Sequence, residues 1–255
     1  MSLYILGNGF DLAHDGLDTR YSAFKQFCHK NNTELYKILN DVYNSKDLWC
    51  DFEKTLGEPN LEQVNYVNTS FKVNLFDGQF VNKIHAALVD WIGSIKLDNV
   101  KRKFNFDCKD KFFTFNYTCV LEQVYGIELD NVLHLHGNSV LTKFFECDKF
   151  IFGHNKNLPQ NSPEILVKTK KNTEAVIKMH EKTMKAFLDQ TQEVIVIGHS
   201  YSDIDWPYFF MISNYKPNVK WKLYYHSPNQ LQQLRVFEAE MIKHNNGFKY
   251  QEIQS

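Results

Sequence analysis

The sequence predicts an α/β fold: a mostly parallel, Rossmann-like sheet flanked by helices, with a helical insertion after the first strand. Three observations predict it. Short apolar runs of strand character alternate with helical-period stripes from about Lys109 onward. Several of those runs end in polar, turn-prone segments. The stretch from Tyr21 to about Gly93 has mostly helical spacing and no obvious strand.

Leu3–Leu6 is an apolar run meeting Gly7-Asn8-Gly9, which reads as a buried strand entering a tight turn. In the insertion, Tyr21, Phe24, Phe27 and Cys28 share a helix face; so do Leu35, Ile38, Leu39 and Val42. A third stripe runs through Phe80, Ile84, Leu88 and Trp91, and Gly57 and Pro59 interrupt the helical pattern before it. Phe112–Phe115 and Val132–Leu135 are the next strands, with a helix near Val120–Tyr125 between them. A loop containing Phe150-Ile151-Phe152-Gly153 follows. Lys171–Gln190 is a helix, read with a stripe of Ala175, Met179, Thr183, Ala186 and Phe187. Val194–Ile197 is the most continuous aliphatic strand, and Val219–Tyr225 is another. Pro228 starts a helix to about His244, and Phe248–Ile253 closes the sheet. The expectation is one α/β domain over 1–255 with the insertion at 21–105.

Composition narrows the function classes. The 255 residues are 43% hydrophobic and 15% aromatic, ample for a buried core. Twenty-nine Lys and Arg against 30 Asp and Glu leave a formal charge of -1, which favours a small ligand over a long nucleic acid. No apolar run approaches the roughly 20 residues that cross a bilayer, and the first residues lack a charged leader or cleavage pattern. The five cysteines, Cys28, Cys50, Cys108, Cys119 and Cys147, form no CxxC, so free thiols in a reducing cytoplasm are expected and structural zinc is not.

In a parallel sheet the strand ends share one edge, where open α/β folds bind ligands. That edge gathers Gly7-Asn8-Gly9-Phe10-Asp11, Asn116-Tyr117-Thr118, His136-Gly137-Asn138, Gly198-His199-Ser200 and His226-Ser227. The first turn lacks the third glycine of the dinucleotide fingerprint and the Lys of a P-loop, so it reads as a close-approach turn. Asp11 is suited to ribose hydroxyls, and His14 to the same space. Asn116 can orient water or a sugar hydroxyl, or cap the next helix. His136 is the general-base candidate. His134 shares its strand face, and with Asp148 or His154 the pair also suits metal ligation. Gly198-His199-Ser200-Tyr201-Ser202 misses the final glycine of a nucleophile elbow. Asp203 and Asp205 precede a helix start at Trp206-Pro207, as caps, histidine partners or ribose contacts. Trp49, Asp51 and Glu53 raise either a lid acid or a buried Trp beside a helix cap.

Taken together, these segments resemble the AbiH family of bacteriophage abortive infection proteins. The resemblance rests on Ile5–His14, Tyr21–Phe24, Trp49–Glu53, Thr114–Thr118, His134–Gly137 and Ile197–Asp205. Departures are Asp15-Gly16-Leu17, where an immediate His-Gly-Leu is more usual, and Cys50 within the Trp-Asp-Phe-Glu segment. The resemblance implies defence by stopping or killing the infected cell. A more distant resemblance, to sirtuin-like NAD-processing domains, implies roles for individual residues. Gly7 and Gly9 would approach the dinucleotide, Asn116 would position water or the nicotinamide-side ribose, and His136 would be the base. Gly198, Ser200 and Asp203 would contact the adenosine side. The typical zinc-binding cysteine quartet is missing.

The leading expectation is an effector that binds NAD or a related nucleotide as substrate and hydrolyses its N-glycosidic bond. Asn116 and His136 would be catalytic; Gly7, Asn8, Gly9, Phe10, Asp11, His14, Gly137, Gly198, Ser200, Asp203 and Asp205 would form the binding site. The alternatives are a metal-dependent nuclease or phosphoesterase, and a nucleotide sensor whose insertion engages a partner. Regulation is expected through a homo-oligomer, a partner or a phage product.

Overall fold

The computed structural model describes residues 1–43, 48–49, 51–71, 79–138 and 150–255. In chain order it begins with β1 (Ser2–Leu6) and α1 (Asn8–Leu12). Five helices follow: α2 (Tyr21–Asn31), α3 (Thr33–Tyr43), α4 (Phe52–Thr55), α5 (Leu61–Phe71) and α6 (Gln79–Ser94). Next come β2 (Lys111–Thr114), α7 (Val120–Gln123), β3 (Val132–His134) and α8 (Glu164–Lys168). The chain ends with α9 (Thr173–Asp189), β4 (Glu193–Ile197), α10 (Trp206–Tyr215), β5 (Lys220–Tyr225), α11 (Pro228–His244) and β6 (Lys249–Gln254).

The chain divides into two compact units, one of 1–17, 96–138 and 172–255, the other of 18–95 and 139–171. The first contains the whole sheet, in the order β3-β2-β1-β4-β5-β6, with every pairing parallel. β1 and β4 lie at the centre and bury Leu3, Ile5, Leu6, Val194 and Val196 almost completely, as strands covered on both faces must. On one face Phe187 of α9 stacks on Phe113 and Phe209 of α10 meets Trp221. On the other, Phe106 packs against Tyr4 and Phe112. Residues 96–105 fall in the same unit as the sheet, where Phe104 packs on Phe10 and the Lys103 N–H donates to Tyr125 Oη.

The second unit is the helical insertion, gathered with 139–171. Its centre is aromatic: Phe24 lies 5.2 Å from Trp91, 5.6 Å from Phe52 and 6.0 Å from Trp49, ring centre to ring centre. Asp51 caps α4, accepting from the Lys54 N–H. Glu53 accepts from Tyr21 Oη at 2.7 Å and from the Gly153 N–H, with Lys171 Nζ 3.4 Å away. This acid therefore ties α4 to the segment 153–171 inside its own unit.

One expected helix face needs correction. Ala175, Met179, Thr183 and Ala186 are exposed on α9, while Val176, Met184, Phe187 and Leu188 are buried. The true stripe starts one residue later, about 100° around the helix. Val, Met and Leu bury more apolar area than Ala and Thr, and they set the phase.

Candidate functional site

β1 and β4 are neighbours at which the sheet order reverses, so the crevice beyond their carboxyl ends is the topological switch point. Three glycines interlock there. The Gly7 N–H donates to Ile197 O at 3.0 Å, the Gly9 N–H to Gly198 O at 2.8 Å, and the Phe10 N–H back to Gly7 O at 2.9 Å. Gly198 has φ of +66°, and a Cβ on it would stand 2.1 Å from Phe10 N. A Cβ on Gly9 would stand 2.7 Å from Gly198 Cα. The close approach these glycines permit is first of all that of one loop to the other. Their committed N–H groups are not arranged as an open phosphate cradle.

Beside this interlock lies a buried acid. Asp11 Oδ1 accepts from Asn116 Nδ2 at 2.9 Å, and its Oδ2 from Thr118 Oγ1 at 2.6 Å. Asn116 Nδ2 also donates to Gly7 O at 3.1 Å. Both protons of that amide are thereby used, which fixes its orientation and leaves Oδ1 as the group it can offer a ligand. Burial pushes the Asp11 carboxyl up to about 7, against the opposing pull of the Thr118 and Asn116 hydrogen bonds.

The second cluster joins the ends of β3 and β4, strands separated in the sheet by β2 and β1. Asp205 Oδ1 is 3.9 Å from His136 Nε2, and Asp205 Oδ2 is 3.3 Å from His199 Nε2. Phe115, at the end of β2, meets both imidazoles edge to face, at 4.8 Å from His136 and 4.7 Å from His199. Tyr208 packs against Phe115 and His136 from α10. Asp205 occupies the N-cap position of α10, yet its side chain makes no cap bond. Asp205 therefore lies beside both histidines without capping α10.

The remaining predicted residues separate by environment. Asn8, Ser200 and Asp203 are exposed on this edge, and Gly9, Gly137 and Gly198 are partly exposed. Phe10 is core, packed on Phe104 and Tyr125. His14 is committed within the fold. Its Nδ1–H donates to Phe10 O at 2.9 Å, and its Nε2 accepts from Tyr125 Oη at 2.7 Å. His134 bonds Asn116 O through Nδ1 and Glu122 Oε1 through Nε2, at 3.1 and 2.7 Å. His154 lies in the other unit, where Nδ1 accepts from the Lys156 N–H and Nε2 donates to Leu166 O. Both its nitrogens serve backbone. Asp148, Cys50 and Cys147 lie outside the described residues. Among the described residues no group of three or more His, Cys, Asp or Glu is placed to hold a metal ion. Nor is any helix among them long and apolar enough to cross a membrane.

Sequence reasoning singled out neither Thr118 nor His199 as a site residue, although both stand inside quoted motifs. Gln230 was invisible to it. This glutamine donates from Nε2 to His199 O at 2.8 Å and accepts the His226 N–H at Oε1, tying the ends of β4 and β5 together.

A comparison with curated proteins finds no significant match. A family model does match, over residues 3–225, and its description is bacteriophage abortive infection AbiH. That span takes in β1 through β5 and both polar clusters. The chain belongs to the AbiH family, and its role is in abortive infection against phage.

Proposed function

We propose that this AbiH protein acts in abortive infection by binding NAD at the carboxyl edge of its sheet and hydrolysing the N-glycosidic bond. The observation that carries the reading is the approach of Asp205 to His136, next to an Asn116 whose carbonyl is its one remaining polar offering. A histidine facing a carboxylate is suited to proton transfer near neutrality. The strand order adds support, since sheets of this order bind dinucleotides at the switch point.

In this reading water attacks C1′ of the nicotinamide ribose. The C1′–N bond breaks, and its electron pair leaves with nicotinamide, which becomes neutral. Asn116 Oδ1 accepts a hydrogen bond from the attacking water, and His136 takes the proton that water loses. Because the Gly7, Gly9 and Phe10 N–H groups are committed, the exposed Asn8, Ser200 and Asp203 side chains meet the rest of the dinucleotide. Purified protein incubated with NAD is expected to release nicotinamide, and His136→Ala protein to release none. Absence of both NAD binding and nicotinamide release in the presence of phage lysate would refute the reading.

A second reading, a nucleotide sensor without turnover, draws on burial: His136 is 3% and Asn116 6% exposed. It predicts that His136→Ala protein still arrests infected cells.

A further inference from the structure

His134 ends β3 and uses both nitrogens of its ring. Nδ1 is 3.1 Å from the Asn116 carbonyl oxygen, and Nε2 is 2.7 Å from Glu122 Oε1. A carbonyl only accepts, so Nδ1 carries a proton and donates it to Asn116. A second proton lies between Nε2 and the Glu122 carboxyl, in a short bond of the charge-assisted kind.

The backbone explains why a side chain reaches this carbonyl. β2 and β3 are parallel, with Thr114 opposite His134, and the Leu135 N–H donates to Thr114 O at 2.9 Å. The next rung of that ladder would run from the N–H of Gly137 to Asn116 O. Gly137 instead turns away at φ of +80°, and its N–H donates to His134 O. The imidazole takes the place of the lost rung. Asn116 is thereby held at each polar group but one. Its N–H donates to Thr114 Oγ1 at 3.1 Å, its amide to Gly7 O and Asp11 Oδ1, and its carbonyl accepts from His134.

Glu122, on α7, has no other evident use. Its side chain is 12% exposed, and its Oε2 is buried with no hydrogen-bond partner among the described residues. A carboxyl with one oxygen left unmet in this way costs stability, so a stabilising role does not explain it. We propose that His134, anchored by Glu122, is a positioning residue for Asn116. Its Nδ1–H fixes the Asn116 backbone, so that the amide keeps its two bonds and Oδ1 stays presented to the attacking water. The kinetic consequence rests on the proposed hydrolytic reading; the geometry does not.

Two variants of one position separate positioning from packing. His134→Asn keeps an N–H near the Nδ1 position for Asn116 and loses the bond to Glu122. His134→Gln keeps an N–H near the Nε2 position for Glu122 and loses the bond to Asn116. The rate of nicotinamide release at saturating NAD should fall about tenfold or more in His134→Gln, with KM changed little, and less in His134→Asn. In the ligand-free protein, NMR signals of the Asn116 side-chain amide should move in the Gln variant and stay close to their original positions in the Asn variant. Glu122→Ala leaves the imidazole in place and removes only its anchor, so it should move the same signals by less. Asn116 signals unmoved in both His134→Gln and Glu122→Ala, or moved equally by Asn and Gln at position 134, would overturn the assignment. Should the unmodified protein release no nicotinamide, the hydrolytic reading fails, and the Asn116 amide signals alone still decide the role of His134.

Discussion

The two ends of the sheet are built from the same strands and differ in how many polar groups they bury. At the amino edge, Glu193 meets Lys222 at 2.7 Å and Ser2 Oγ at 3.0 Å, with side chains about a third exposed for the ion pair. Asp110 there accepts the Ser2 N–H at 2.9 Å. The ion pair is an ordinary surface closure, while Asp110 is buried and satisfied by a second donor, the Asp107 N–H. At the carboxyl edge, Asp11, Asn116, Thr118, His136, His199 and Asp205 are all buried. Burying them costs stability unless each finds a partner. The two buried acids of this edge also differ from one another. Asp11 sits in short bonds of 2.6 and 2.9 Å, whereas Asp205 faces its histidines at 3.3 and 3.9 Å. The tight cluster organises the loops, and the looser one is suited to moving a proton.

The largest effect that would sharpen this contrast is catalytic. His136→Ala and Asp205→Asn should each lower nicotinamide release about 100-fold or more, with thermal unfolding changed little for Asp205→Asn. Equal activity in both variants and the unsubstituted protein would remove the distinction between the edges. Asn116→Ala is a poorer probe, because it also deprives buried Asp11 of a donor.

The glycine interlock comes next. Gly198→Ala should cost about 3 kcal/mol or more, since the added carbon meets Phe10 N in a positive-φ turn. Gly16 has φ of +81°, and a Cβ on it would meet nothing within 4 Å, so Gly16→Ala should cost only about 1 kcal/mol. Urea unfolding of the pair isolates loop packing from backbone strain; equal losses would mean the interlock contributes nothing.

A pH dependence follows from Asp11. Burial raises its carboxyl to about 7, so the folded state holds the proton more tightly than the unfolded chain, whose group titrates near 3.8. Its stabilising contribution is full below about 4 and is lost as pH rises through about 7. Glu238 is also pushed up to about 7, by burial and by the like charge of Glu252, and acts in the same direction. Asp11→Asn should therefore reduce, without abolishing, the loss of thermal stability between about pH 4.5 and 7.5. Adding Glu238→Gln should flatten it further. Unaltered slopes would contradict the buried-acid description.

The smallest effect belongs to the amino edge. Lys222→Met should cost less than about 1 kcal/mol, as partly exposed ion pairs do, and should leave nicotinamide release unchanged. A substantial loss of release would show that the two ends are not separable.

Much of the architecture was legible because central strands are continuous apolar runs and most helices carry clear stripes. Val194–Ile197 falls within β4, and Pro228 opens α11 as its fixed φ favours. The phase of α9 was misread where Ala and Thr imitate a stripe. Of the site, the edge segments were legible, because polar turns after apolar strands stand out. Their pairings were not. Nothing in the sequence says that β3 and β4 lie on opposite sides of β2 and β1, so Asp205 reaching both His136 and His199 had no local signal. Nor did the commitment of His14 to Tyr125, a partner 111 residues away.

The central claim, that the carboxyl edge consumes NAD through His136, is tested most directly in infected cells, where any phage trigger is present. NAD and nicotinamide are measured after infection in cells carrying the protein or its His136→Ala variant. The account predicts falling NAD with rising nicotinamide only with the unsubstituted protein. Infected cells that are arrested with NAD unchanged would contradict it.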